Sequence, residues 1–239
     1  MDQAIRKAVI LAAGRGTRMG ELTAQLPKPM LRVQDKPLIQ HVLERLEAAG
    51  IREFGIVVGY QSETLTSFLA GWHLPITFIH QETVNGTGAA TLLTRDFVGG
   101  DSFVLTFGDI LCEPGAYQAC IDAHNATPQT AGSIGVKDVD DPWQGAAVYE
   151  VDGRIERIVE KPPKGTSTTR WNSAGVYAFR PVLFDYLARL TPSIRGEYEL
   201  TSAYEQMLAD GLDLRIGRLD GNWRDVGRPE DLAASESMM

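Results

Sequence analysis

The chain has 239 residues, 44% of them apolar, with a net charge of −8; it is long enough to bury a sizeable core, and its acidic balance argues against a nucleic-acid backbone as partner. Cations that meet an anionic ligand therefore have to be gathered locally. Cys112 and Cys120 form neither a metal pattern nor a disulfide framework, and the apolar run at 8–13 is too short for a signal-peptide core or a membrane span, so the expectation is a cytoplasmic protein with no membrane partner.

In chain order, "AVILAA" (8–13) reads as a buried strand, and "PLIQHVLERLEAAG" (37–50) as a helix with Leu38, Val42, Leu46 and Ala49 on one face, stopped at Gly50. "FGIVVG" (54–59), "ITFIH" (76–80) and "FVLTFG" (103–108) read as further strands, with helices at 62–71 and 86–97 between them. Near-continuous apolar strands that alternate with helices predict a parallel sheet covered on both faces. Ligands then belong beyond the carboxyl ends of the strands, at the loops after residues 13, 80 and 108.

The second half reads differently. "AAVYEVDGRIERIVEKP" (146–162) is a hairpin about Asp152-Gly153, and "WNSAGVYAFR" (171–180) is another strand. Helices follow at 181–190 and 199–211, then strand-like pieces at 213–219 and 223–227. The expected fold class is α/β: a mostly parallel, Rossmann-like central sheet flanked by helices, with a smaller β/α part in the second half. Without linker or repeat, residues 1–239 read as one domain.

The loop "AGRGTRMG" (13–20) raises the first question of chemistry. It narrowly misses the dinucleotide fingerprint, and Pro27 and Pro29 leave no room for the helix that motif opens. A Walker loop needs Gly-Lys-Ser/Thr, which is missing. Two readings remain open on the residues alone: a loop that cradles phosphate with its N–H groups, Arg15 and Arg18, or a glycine-rich turn with solvated arginines. Lys28, held between two prolines, adds a cation. Asp109 ends an apolar strand at the tip that faces the crevice. His41, His73, His80 and His124 are scattered without ligand spacing, which argues against a zinc enzyme.

Taken together, the opening stretch from Lys7 onward, "QETVNGTGAA" (81–90), "FGD" (107–109), "VEKP" (159–162), "NSAGVYAF" (172–179), "RGEYELT" (195–201) and "WRDVGRPEDL" (223–232) resemble, in order, the motifs of sugar-1-phosphate nucleotidylyltransferases. The resemblance covers nearly the whole chain. It implies the nucleotide-diphospho-sugar transferase fold, with residues 1–130 mainly for the nucleotide and 131–239 mainly for the sugar phosphate. The implied reaction is attack of a sugar 1-phosphate on an NTP with release of pyrophosphate, so positioning and charge neutralisation matter more than a covalent nucleophile.

By the same resemblance, Arg18 and Lys28 contact the triphosphate and Lys161 the sugar phosphate. Leu11, Ala13, Gly14, Arg15, Gly16, Thr17, Gln81, Gly86 and Thr87 line the nucleotide site, where the Gln81–Gly86 spacing matches uracil and thymine recognition. Gly145, Glu160, Asn172 and Thr201 fall to the sugar, and Asp109 and Asp225 to Mg2+. UTP is the favoured donor, dTTP the next, and the acceptor is of glucose or N-acetylglucosamine type. An acceptor such as N-acetylmuramic acid 1-phosphate, mannose 1-phosphate or phosphocholine is the alternative. A non-catalytic relative would have lost Arg18, Lys28, Asp109, Lys161 or Asp225, and all five are present. At this length no hexapeptide-repeat acyltransferase domain, and hence no acetyl transfer, is expected. The oligomeric state is open and compatible with a homo-oligomer.

Overall fold

The computed structural model describes residues 4–237. β1 (Lys7–Leu11) is followed by a short antiparallel pair, β2 (Arg32–Val33) and β3 (Lys36–Pro37). Then come α1 (Leu38–Ala48), β4 (Glu53–Val58), α2 (Ser62–Leu69), β5 (Ile76–His80), α3 (Thr87–Leu92), α4 (Arg95–Val98) and β6 (Phe103–Phe107). The second half carries β7 (Ile110–Cys112), α5 (Gly115–His124), β8 (Thr130–Asp138), β9 (Ala146–Val151), β10 (Arg154–Glu160) and β11 (Trp171–Phe179). It ends with α6 (Leu183–Leu187), α7 (Leu200–Ala209), β12 (Asp213–Arg218), β13 (Trp223–Asp225) and α8 (Pro229–Ser235).

Nine strands form one sheet in the order β5-β4-β1-β6-β11-β8-β12-β10-β9. The first four are mutually parallel, as the apolar runs predict. β1, β4 and β6 are buried on both faces, whereas β5, at the sheet edge, is half-buried to exposed. In β1, Val9 and Leu11 face one core with Leu105 and Phe179, while Ala8 and Ile10 face the other with Phe54 and Val176. Covering both faces removes the polar side of the usual period-two pattern, so the run reads as unbroken apolar.

The Rossmann-like α/β expectation holds, but the whole sheet is mixed: four strands of the first half are parallel, and among the described residues of the second half only β8 and β12 pair parallel. β11 enters antiparallel to β6 and β8, and the β9–β10 hairpin adds further antiparallel pairs. β9 also touches β11 through Asn172 and Ala147, so β11, β8, β12, β10 and β9 curl into a ring.

Two departures from the sequence reading have local causes. The helix expected over 86–97 is broken into α3 and α4. Thr91 and Thr94 turn their hydroxyls onto the carbonyls of Thr87 and Thr91 (2.8 and 2.7 Å), and the Thr94 N–H bonds three residues back instead of four. The region 115–138, without an apolar pattern in sequence, holds α5 and β8. Among the described residues no helix is long and apolar enough to cross a membrane.

Candidate active site

Two adjoining clefts open beyond the carboxyl ends of the parallel strands, one of about 410 Å³ and one of about 840 Å³. The smaller is walled by the loops after β1, β5 and β6, the three loops the sequence singled out. Its first wall, residues 14–30, contains two 3-10 turns (Thr17–Thr23 and Lys28–Met30) in place of an α-helix. Gly16 sits in the left-handed region, φ 62°, and a Cβ there would come within 3.1 Å of Lys28 Cβ. The glycine thus lets the loop fold down over Lys28.

Gln81 is buried at the end of β5; its N–H donates to the Val58 carbonyl, and its amide nitrogen lies 3.3 Å from Asn85 Oδ1. Gly86, at φ 120°, is pressed against main chain: a Cβ would come within 2.7 Å of Tyr198 N. The Tyr198 N–H donates to Asn85 O, and Tyr198 O accepts from Gly88 N–H. This packing gives Gly86 a structural reason beside the one its motif implies.

The clefts meet at five residues common to both: Arg18, Lys28, Thr87, Phe107 and Asp109. Gly108 allows the Pro29 ring to approach closely, which sets Lys28 beside Asp109, and the two side chains form an ion pair. Asp225 arrives from the far end of the chain because β13 pairs antiparallel with β7, opposite Ile110. The Val226 N–H then donates to the Asp109 carbonyl, 3.1 Å, and Asp225 Oδ1 lies 3.9 Å from Lys28 Nζ. Enclosure in the cleft and the Asp109 carboxylate push the Asp225 pKa up to about 6, against the pull of Lys28 and Arg18. Two carboxylates and two cations therefore share one junction.

The larger cleft is lined by the second-half residues the motifs named: Gly145, Glu160, Lys161, Asn172, Thr201 and Asp225. Lys161 has a left-handed backbone, φ 43°, and its N–H donates to Gly145 O at 2.7 Å. Glu160 accepts from the Thr201 hydroxyl at 2.8 Å and lies 3.8 Å from Lys161 Nζ and 3.4 Å from Arg195 Nη2. Burial opposes ionisation of Glu199, but hydrogen bonds from Arg195 and Ser193 prevail and hold its carboxyl below the usual range. Gly145 is pressed against the Asn172 amide, and its own N–H bonds to Pro142 O at 3.2 Å.

Among the sequence-named residues, Arg15 alone lines neither cleft; its guanidinium lies 5.7 Å from the Tyr60 ring, exposed. The contact is of cation–π type and lies on the neighbouring loop. Lys137, Arg195, Trp223 and Asp231 were not singled out by sequence, yet Lys137, Trp223 and Asp231 line the larger cleft and Arg195 braces Glu160. An available signal was Arg195 four residues before Glu199; another was Asp231 at the third position of a helix started by proline.

Comparison with known proteins places the chain in a family. The model of the nucleotidyl transferase family matches residues 7–238. The low-salt glycan biosynthesis nucleotidyltransferase Agl11 of Haloferax volcanii is 32% identical over 98% of this chain and 66% of its own length. The UTP–glucose-1-phosphate uridylyltransferase AglF of the same organism is 32% identical over 98% of this chain and 96% of its own. The first curated relatives are mostly longer, and the chain spans 52% to 66% of their length. A UDP-glucose pyrophosphorylase solved with UDP-glucose superposes with a TM-score of 0.87 over 98% of this chain and 97% of its own; at 22% identity it shows the shared fold. The chain belongs to the nucleotidyl transferase family, and the resemblance to sugar-1-phosphate nucleotidylyltransferases carried by its motifs is borne out.

Proposed function

We propose that the chain transfers a nucleotidyl group from an NTP, UTP first and dTTP next, to a sugar 1-phosphate of glucose or N-acetylglucosamine type, giving an NDP-sugar and pyrophosphate. One observation carries this reading: two clefts, one walled by the glycine loop and Gln81, the other by Glu160, Lys161 and Asn172, share Arg18, Lys28 and Asp109 at their meeting point. A reaction between two polyanions needs such a junction, where both reach one set of cations. The uridylyltransferase AglF, a relative similar over almost its whole length, supports the uridylyl donor.

In the proposed reaction an oxygen of the sugar phosphate attacks the α-phosphorus of the NTP. The bond from that phosphorus to the bridging oxygen breaks, and pyrophosphate leaves with the electron pair. The nucleophile is already an anion, so no general base is required. Arg18 and Lys28 offset charge on the leaving pyrophosphate, and Lys161 holds the incoming phosphate against Glu160. Gln81 reads the pyrimidine edge with an amide that both donates and accepts.

Asp109 and Asp225 are the residues that would hold Mg2+. Their chemistry fits: the described residues group no third acid, His or Cys with them, and Mg2+ takes one or two carboxylates and completes its shell with phosphate oxygens and water. When bound, the ion adds neutralisation of phosphate charge. Residues 1–239 serve in this reading as one cytoplasmic domain, 1–130 mainly for the nucleotide and 131–239 for the sugar phosphate.

The test is pyrophosphate release from UTP, dTTP, CTP, ATP and GTP, each paired with glucose 1-phosphate and N-acetylglucosamine 1-phosphate. UTP or dTTP should exceed the other donors at least tenfold in kcat/KM. Silence across the whole matrix with Mg2+ present would overturn the reading. A purine as best donor would overturn the assignment of Gln81 alone.

A further inference from the structure

A third, small core lies under the junction of the clefts: Met19, Leu31, Val33, Leu38, Leu111 and Val226, with Leu232 of α8 packed against it. Met19 follows Arg18 in the chain, Leu111 lies two residues after Asp109, and Val226 follows Asp225. This core is the floor on which charged groups from distant parts of the sequence are mounted. Asp225 is the member with least support of its own, since β13 is three residues long and the chain turns away at once.

Asp231 holds that turn. Its Oδ2 accepts the N–H of Arg228 at 2.9 Å, an ordinary bond for the third residue of a helix, and also the N–H of Gly227 at 3.1 Å, outside the helix. Its Oδ1 lies 3.4 Å from Arg224 Nη1. One carboxylate thus grips the chain on both sides of Asp225, at residue 224 before it and 227–228 after it. A plain cap needs only the Arg228 bond. α8 is itself anchored: Ser235 Oγ donates to Asp231 O at 2.7 Å, and Gln34, in the β2–β3 turn, makes two hydrogen bonds of 3.0 Å to Glu236.

We propose that Asp231 is a positioning residue for the transfer reaction, acting through the 226–228 turn to keep Asp225 against Asp109 and Lys28. The proposal rests on the nucleotidyl-transfer reading. Asp231 touches no reacting atom in it; its carboxylate fixes backbone.

Asp231→Ala removes the acceptor of the Arg228 N–H and one of the two acceptors of the Gly227 N–H, whose other is Asp225 O at 2.9 Å, whereas Asp231→Asn keeps an oxygen able to accept them and loses only the charge. In metal-free protein, the Arg228 amide should exchange with solvent at least tenfold faster in Asp231→Ala and near the wild-type rate in Asp231→Asn, while Gly227, still bonded to Asp225 O, should change less. With the wild type shown to release pyrophosphate, Asp231→Ala should lose at least tenfold in kcat, with KM for both substrates within about threefold, and Asp231→Asn should recover most of it. In an Asp225→Asn background the same Asp231→Ala change should cost less than twofold, because the group it positions is gone. Asp231→Ser, with one acceptor, serves if the alanine variant does not fold and should fall between the two.

Equal losses of kcat in both backgrounds would overturn the proposal. So would a freed Arg228 amide with wild-type kcat, or Arg228 amide exchange that Asp231→Ala leaves unchanged. An inactive wild type would instead overturn the functional reading beneath it.

Discussion

On the nucleotide side the walls are mainly main chain. Gly16 folds over Lys28, Gly86 lies against the Tyr198 backbone, and the loops are fixed by bonds such as Gly108 N–H to Leu11 O at 3.0 Å and Gln81 N–H to Val58 O at 2.9 Å. On the sugar side the walls are side chains that hold one another: Thr201 on Glu160, Arg195 on Glu160 and Glu199, and the Asn172 amide beside Gly145. Main-chain walls are rigid and suit a triphosphate that every donor shares. Side-chain walls change with few substitutions, which in the proposed reading suits the acceptor side.

The junction belongs to both sides, and breaking it should have the largest effect. Asp109→Asn or Asp225→Asn should lower kcat by about 10²–10³-fold with the fold retained, since developing phosphate charge loses compensation in an enclosed site. Steady-state pyrophosphate release with saturating Mg2+ checks this; near wild-type turnover in either folded variant would remove the metal assignment.

The contrast between main-chain and side-chain walls is sharpened by one methyl group on each side. Gly86→Ala meets the Tyr198 backbone at a φ that L-residues rarely adopt, and neither can give way, so a loss of about 2–3 kcal/mol is expected. Gly145→Ala meets the Asn172 amide, a side chain that can rotate. It should cost less in thermal stability and instead raise KM for the sugar phosphate. Similar losses of Tm in both would erase the distinction.

A smaller effect concerns the base. Gln81→Ala should erode the preference for UTP over GTP by about tenfold, the cost of one unpaired polar edge, while kcat with saturating UTP changes less. Measured kcat/KM ratios for the two donors decide it.

The smallest effect is on stability. Ionised Asp225 is disfavoured in the fold, with a pKa near 6 against an ordinary 3.8. The destabilisation is present above pH 6 and relieved as pH falls toward 4, so metal-free protein should melt higher at pH 5 than at pH 7. With solvent screening of a half-open group, roughly 1 kcal/mol, or about 2–4 °C, is the scale. Asp225→Asn should abolish this rise and melt above the wild type at pH 7.

The same division explains what could be read in sequence. β1, β4 and β6 declared themselves because both faces are buried and almost every residue is apolar; β5, at the sheet edge, was legible from its short apolar, β-branched run alone. β8 did not, although it lies in the middle of the sheet. Its sequence, TAGSIGVKD, is built of small residues because neighbours crowd it: a Cβ at Gly132 would overlap the Phe179 ring, and one at Gly135 would come within 2.9 Å of Cys120 Sγ. Close packing replaced the apolar signal with glycine, which reads as a turn. Of the five residues common to both clefts, the motifs named Arg18, Lys28, Thr87 and Asp109, which lie in the segments following β1, β5 and β6. Arg195 and Asp231 lie within quoted motifs but received no role, because their partners are set by the tertiary structure.

The central claim is that one cleft takes the NTP, the other the sugar phosphate, and that they share a single charged junction. It is tested most directly by full two-substrate kinetics of Lys28→Ala and Lys161→Ala, measured beside the wild type as pyrophosphate release. Lys28→Ala should lose about 10- to 100-fold in kcat/KM for UTP, because it removes a cation from the triphosphate and leaves Asp109 and Asp225 facing each other. Lys161→Ala should chiefly raise KM for the sugar phosphate and leave KM for UTP within about threefold. An identical pattern of KM and kcat changes in the two variants would contradict the account.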